Sequence, residues 1–186
     1  MKSILLITLL LCVMLSAFAQ DKEEGSDLTK EEPDVSDTSN DKIDFAGFLF
    51  LGDSLAAVRK TRLIDEETFL TYSQDENTLI LDTRSRAAFD DIHVAGAVHL
   101  NFSDFTEQKL AEKIPNKNTR ILIYCNNNFE SDRASLFNKR VDLALNIPTF
   151  INLHGYGYEN VFELGVYLDE EETRIPLEVR KEELSR

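Results

Sequence analysis

The chain has 186 residues, with 34 acidic side chains against 20 basic ones, and a formal net charge of −14. So acidic a surface excludes nucleic acid and anionic membrane as electrostatic partners, since both require basic patches. It selects no positive partner, because acidity of this kind ordinarily serves solubility.

The chain opens with Lys2, an apolar run over residues 4–13, and Ala17-Phe18-Ala19 ahead of Gln20. These are the three parts of a secretory signal peptide, expected over residues 1–19. The run is too short for a transmembrane anchor and no basic flank follows it. Cys12 lies inside the run and would leave with the peptide. No later apolar run is long enough to span a bilayer, so the mature protein is expected to be secreted or periplasmic and not membrane-bound. Cys125 is then its one cysteine, which points to a reactive thiol or to intermolecular pairing.

Residues 20–42 are rich in Asp, Glu, Ser, Thr and Lys and contain no aromatic side chain. They cannot bury enough apolar surface to offset ordering, and a disordered acidic linker is expected. A single domain is expected over residues 43–186, with its core at 62–168. Residues 45–55 hold Phe45, Phe48, Leu49, Phe50, Leu51 and Leu55. Gly47 and Gly52 interrupt a clean helix there, so the segment reads as a packing strap.

From residue 62 the pattern alternates. A short strand at 62–64 precedes a helix capped by Asp65 and running to Tyr72. A buried strand at 78–81 ends in Asp82-Thr83-Arg84, and Ser85 caps a short helix. A third strand is expected at 98–100, followed by a helix that opens at Ser103 and stops at Pro115. Residues 121–124 form the fourth strand candidate. A helix over 147–154 follows, with Asn146 as cap and Pro148 in its first turn. Residues 161–164 are the fifth strand candidate, 169–172 an acidic surface run, and 176–184 an amphipathic terminal helix or a frayed end. Such alternation predicts an α/β fold: a mostly parallel, five-stranded sheet with helices on both faces.

Residues 121–129 read Ile-Leu-Ile-Tyr-Cys-Asn-Asn-Asn-Phe, an apolar strand stopping at a thiol and a polar turn. Ligands of open α/β sheets bind beyond the carboxyl ends of the strands. Loop N–H groups converging on such a thiol would lower its pKa and favour the thiolate. Cys125 is thus the candidate nucleophile, and Asn126, Asn127, Asn128 and Phe129 the candidate anion-binding loop, although three asparagines also suit an ordinary turn. His93, His99 and His154 lack metal-ligand spacing, so neither metal nor cofactor is expected.

Residues 79–84 (Leu-Ile-Leu-Asp-Thr-Arg), Phe89, and His93-Val-Ala-Gly-Ala97 with Leu100 resemble the first half of a rhodanese-like domain. The strand ending at Cys125 and Gly157-Tyr158-Glu159-Asn160-Val161 match that family's later landmarks in order. The resemblance implies that Cys125 accepts a sulfane sulfur as a persulfide, so that the partners would be a small sulfur donor and a thiol acceptor. It implies structural roles for Asp82, Arg84 and His93. Active sulfurtransferases of the family carry arginine five residues after the cysteine, where this chain has Glu130. The related phosphatases carry it six residues on, at Ser131, so no guanidinium fork is available there for a phosphate.

Two readings of the loop follow. Either a helix begins near Ser131, or residues 126–146 are mostly an insertion and the family helix lies at 147–154. The distance to Gly157 favours the second. Arg133, Lys139 and Arg140 then ride on an elaborated flap, with Arg133 the candidate to face the thiol. A non-catalytic binding module and a thiol-redox protein are the rival readings.

Overall fold

A computed structural model describes residues 41–130 and 132–180. The expected signal peptide and nearly all of the expected linker lie outside these residues.

The first helix, α1, spans Phe45–Lys60. The interruption expected at Gly47 and Gly52 does not occur. The Asp44 side chain accepts from the Gly47 N–H at 2.7 Å, capping the first turn, and Arg59 and Lys60 complement the helix dipole in the last. Gly52 serves close approach instead: a Cβ there would stand 3.3 Å from Ile151 Cδ1 on the helix packed against α1. Phe45, Phe48, Leu49 and Phe50 stay exposed, so only part of the helix is a strap.

The chain continues with β1 (Leu63–Ile64), α2 (Glu66–Ser73), β2 (Thr78–Asp82), α3 (Arg86–Asp91), β3 (Ile92–Val94) and β4 (Val98–His99). Then come α4 (Glu107–Lys113), β5 (Arg120–Tyr124), β6 (Phe129–Glu130), α5 (Asn146–Gly155), β7 (Val161–Leu164), β8 (Leu168–Asp169) and β9 (Leu177–Val179). Asp65, Ser85 and Thr106 cap α2, α3 and α4 through side-chain acceptors. The helix expected from Ser103 is in fact a 3-10 turn at Phe102–Asp104, capped by Asn101, followed by α4. Thr106, with Glu107 after it, was the stronger start signal.

Five strands pair in the order β1-β7-β5-β2-β4, all in parallel. The central β5 lacks a polar/apolar alternation because both faces are covered. Ile121 and Ile123 enter one core with Leu110, Ile114, Phe150, Leu153 and Val161, while Leu122 and Tyr124 enter the other with Phe69, Ile80, Phe129 and Leu164. Fully burying a side chain of this size contributes about 1.5–3 kcal/mol, so β5 anchors both layers. Gly157 has φ +79°, a left-handed conformation that glycine adopts without strain, and it turns the chain from α5 toward β7.

Two small pairings close the edges. β3 runs antiparallel to β9, so residues 177–179 form a strand where a terminal helix or a frayed end was expected; residues 181–184 lie outside the described part. The antiparallel partner, with Ala95 N–H donating to Pro176 O at 2.8 Å, overrides the weak helical pattern. β6 pairs in parallel with β8, Phe129 opposite Leu168 and Glu130 opposite Asp169.

Candidate functional site

Cys125 follows β5 directly, at the carboxyl end of the sheet, and is 1% exposed. The residues after it form a 3-10 turn, Asn126–Asn128, rather than a helix. Among the described residues the next α-helix is α5, which begins 21 residues after the thiol; its cap is Leu145, with Asn146 in its first turn. The intervening segment nevertheless leaves the helix start beside the sulfur. Backbone N–H groups of Asn146, Asn127 and Leu145 lie on the sulfur's side of this junction and act to lower the Cys125 pKa. These are unused donors of a helix N-terminus and a tight turn, the groups that stabilise an anion without moving.

The net effect on the thiol is opposite to the sequence expectation. Burial raises its pKa most, the amides of Asn146 and Asn127 pull it down, and the Glu163 carboxylate pushes it up again, leaving it above the ordinary cysteine value. The amides are there, but the withdrawal of water and a neighbouring negative charge outweigh them. Glu163 sits on β7, is 5% exposed, and is gripped by Arg59 of α1 in a two-point contact at 2.7 and 2.6 Å.

The three asparagines after the cysteine are ties. Asn128 Oδ1 accepts from Cys125 N–H at 2.9 Å and from Asn146 Nδ2 at 3.1 Å, while its own Nδ2 donates to Leu164 O and Val166 O. Asn127 exchanges hydrogen bonds with the backbone of Lys139 in both directions. Asn126 accepts from Arg84 Nη1 at 3.2 Å and donates toward Ser135 O and Phe137 O. The Asn127 backbone also acts to lower the thiol pKa, and the Asn128 backbone N–H meets the Cys125 side chain in a capping box. Phe129 is buried, begins β6, and packs edge-on against Tyr124; it belongs to the core rather than to an anion pocket.

Asp82 and Arg84 lie on the other side of β5. Arg84, 2% exposed, reaches Asp82 Oδ2 at 2.7 Å and the Ile92 carbonyl at 2.5 Å, and its guanidinium stacks over Tyr124 and Phe129. The Tyr124 hydroxyl donates to Asp82 Oδ2 at 2.6 Å and accepts from Val94 N–H at 3.1 Å. Burial and then the Asp82 charge raise the Tyr124 pKa well above its ordinary value, so the hydroxyl remains a donor. His93 stacks on Phe89, with Nδ1 2.7 Å from the Phe89 carbonyl oxygen. Asp82, Arg84, Tyr124 and His93 are all absent from the lining of the pocket that the thiol borders.

The family model described as a rhodanese-like domain matches residues 65–165. The chain belongs to the rhodanese-like domain family. Among solved structures, the rhodanese-like domain of the Alr3790 protein from Anabaena sp. is similar at 20% identity, over 67% of this chain and 83% of that one, with a TM-score of 0.45. The BH2092 protein from Bacillus halodurans is similar at 16% identity, over 60% and 72%, with a TM-score of 0.39. A full-length protein from Lactobacillus plantarum is similar at 18% identity, over 69% and 96%, with a TM-score of 0.42. None of the curated proteins matches the chain.

Within this rhodanese-like domain the segment between Cys125 and α5 folds back over the sheet end. Arg133 does not face the thiol: it pairs with Glu170 at 2.9 Å and Asp91 at 3.3 Å. Ser135 Oγ donates to Asp91 as well. Glu130, standing where the active family members carry arginine, is exposed on β6.

Two of the cavities that border this segment lie at the carboxyl end of β5. A crevice of about 440 Å³ opens over β2, β4 and β5 and is lined by Arg84, Phe102, Asn126, Phe137 and Lys139 among others, but not by Cys125. A smaller pocket of about 250 Å³ is lined by Cys125, Asn128, Asn146, Glu163 and Arg59, with Leu63 and Val166 on its apolar side. Sequence reasoning missed Arg59 and Glu163 and saw Asn146 only as a cap. A lone carboxylate inside the apolar stretch Val161-Phe162-Glu163-Leu164 was the available signal, since a buried charge demands a partner.

Proposed function

We propose that this is an exported carrier of sulfane sulfur that works through a persulfide on Cys125. The observation that carries the reading is a strand-end cysteine that shares a pocket with the first turn of α5, where the backbone N–H groups of Asn146, Asn127 and Leu145 act to lower the sulfur's pKa. Family membership and the secretory pattern over residues 1–19 support it, and no helix among the described residues is long and apolar enough to cross a membrane.

In the loading step, Cys125 Sγ attacks the outer sulfur of a donor R–S–SH. The Sγ–S bond forms as the R–S–S bond breaks, and the departing R–S⁻ takes up the thiol proton. Cys–SH and R–S–SH thus become Cys–S–SH and R–SH without net oxidation. The backbone donors would offset the charge that develops on Sγ and on the persulfide, at no cost of reorganisation. The reverse exchange with a second thiol unloads the sulfur.

Intact-mass measurement after incubation with a persulfide donor tests this. A gain of one sulfur atom is expected in the native protein and none in Cys125→Ser. A gain that survives this substitution would remove the assigned nucleophile.

A second reading is favoured by the burial and raised pKa of the thiol: a binding module whose larger crevice, which the thiol does not line, receives a partner. A thiol inert to every sulfane donor while a ligand occupies that crevice would establish it.

A further inference from the structure

The smaller pocket has an unusual balance of hydrogen-bonding groups. Asn146 is 3% exposed, donates its Nδ2 to Asn128, and keeps its Oδ1 buried with no hydrogen-bond partner among the described residues. An orphaned buried acceptor is costly, and native structures retain few of them. Glu163 uses both oxygens on Arg59 but retains lone pairs, as each carboxylate oxygen has two.

Side-chain donors, in contrast, are committed. The amides of Asn127 and Asn128 are spent on the Lys139, Leu164 and Val166 carbonyls. Arg59 is the one basic residue lining the pocket, and its charge is matched by Glu163. Beyond the backbone N–H groups at the sulfur itself, the site offers acceptors and apolar wall from Leu63 and Val166, and no uncommitted side-chain donor for the remote oxygens of a dianion. At about 250 Å³ it is smaller than the cavities that hold drug-sized ligands.

We propose that the sulfur donor reaches Cys125 through this pocket and is a small organic persulfide bearing an amino group, which Asn146 Oδ1 accepts, rather than thiosulfate. The inference rests on the persulfide reading of Cys125 and specifies its donor. Occupancy by the amine satisfies the orphaned oxygen and holds the outer sulfur against the thiol. A site built to hydrogen-bond a substrate group discriminates against the analogue lacking it.

The test measures the rate of sulfur gain on Cys125 in the full chain with three probes: cysteamine persulfide, the isosteric propanethiol persulfide, and thiosulfate. Cysteamine persulfide should load about tenfold faster than propanethiol persulfide, the factor that one hydrogen bond provides, and thiosulfate should be slowest. Asn146→Leu should abolish the preference for the amine, read as the ratio of the two persulfide rates; general damage to the site, including loss of the Asn128 contact, would slow both persulfides alike and keep their ratio. Glu163→Gln leaves Arg59 without its counter-charge and should raise loading from thiosulfate.

Equal loading by the two persulfides overturns the donor class and spares the persulfide reading, as does an amine preference that persists in Asn146→Leu. Fastest loading from thiosulfate does the same. If no probe adds sulfur to Cys125, the persulfide reading and this inference fall together.

Discussion

Two polar clusters flank the carboxyl end of β5, and they are built on opposite terms. On the β2 side, Asp82, Arg84 and Tyr124 satisfy one another completely, down to the Val94 N–H and the Ile92 carbonyl. On the β7 side, Cys125, Asn146 and Glu163 leave a carbonyl oxygen without a partner and a thiol held away from ionisation. A closed network of buried polar groups fixes structure, whereas an open one stores an unmet demand that a ligand can fill. Asp82 and Arg84, which the family resemblance marks as structural, fall in the closed cluster; Cys125, which it marks as the nucleophile, falls in the open one.

The sharpest way to break the contrast is Arg84→Met, which strands the Asp82 carboxylate in the core. Urea unfolding should show a loss of about 3–5 kcal/mol, the cost of removing one partner from a buried ion pair. Tyr124→Phe removes one donor from the same cluster and should cost about 1–3 kcal/mol by the same measurement.

The open cluster responds through pH. Because the folded thiol ionises above its ordinary value, the neutral form contributes stability that is complete below that value and is lost as pH climbs through the raised one. Unfolding curves of the native protein should therefore fall more steeply on the alkaline side than those of Cys125→Ser. Glu163→Gln removes a charge that raises the thiol, so the pH midpoint of Cys125 alkylation should move down. Arg133→Ala breaks two partly exposed ion pairs outside both clusters and should cost no more than about 1 kcal/mol, with sulfur loading unchanged.

The parallel sheet was legible in the chain because each main strand is a local apolar run closed by turn residues, as at Ile121 to Cys125. The two-residue pairing of β6 with β8 was not: Phe129 and Leu168 meet only through the tertiary fold, and neither run carries a strand's length. α1 was hidden by Gly47 and Gly52, which look like breaks until the Asp44 cap against the first and the neighbouring helix against the second are in place. At the site, the thiol could be located but its ionisation could not. The carboxylate that opposes ionisation arrives from Glu163, 38 positions along, and is itself held by Arg59 from the far side of the chain. Local reading assigns donors to a loop; it does not sum the charges that the fold brings to them.

The donors on the sulfur come from the two ends of the inserted segment, Asn127 just after the cysteine and Leu145 and Asn146 beyond it. The wiring of the thiol therefore uses backbone at those ends and no side chain of what lies between. Residues from Phe137 to Leu143 can drift in sequence, and reshape the crevice they border, without rewriting the electrostatics that the sulfur feels. In such a scaffold, what the outer surface greets and what the sulfur does are free to evolve on separate schedules.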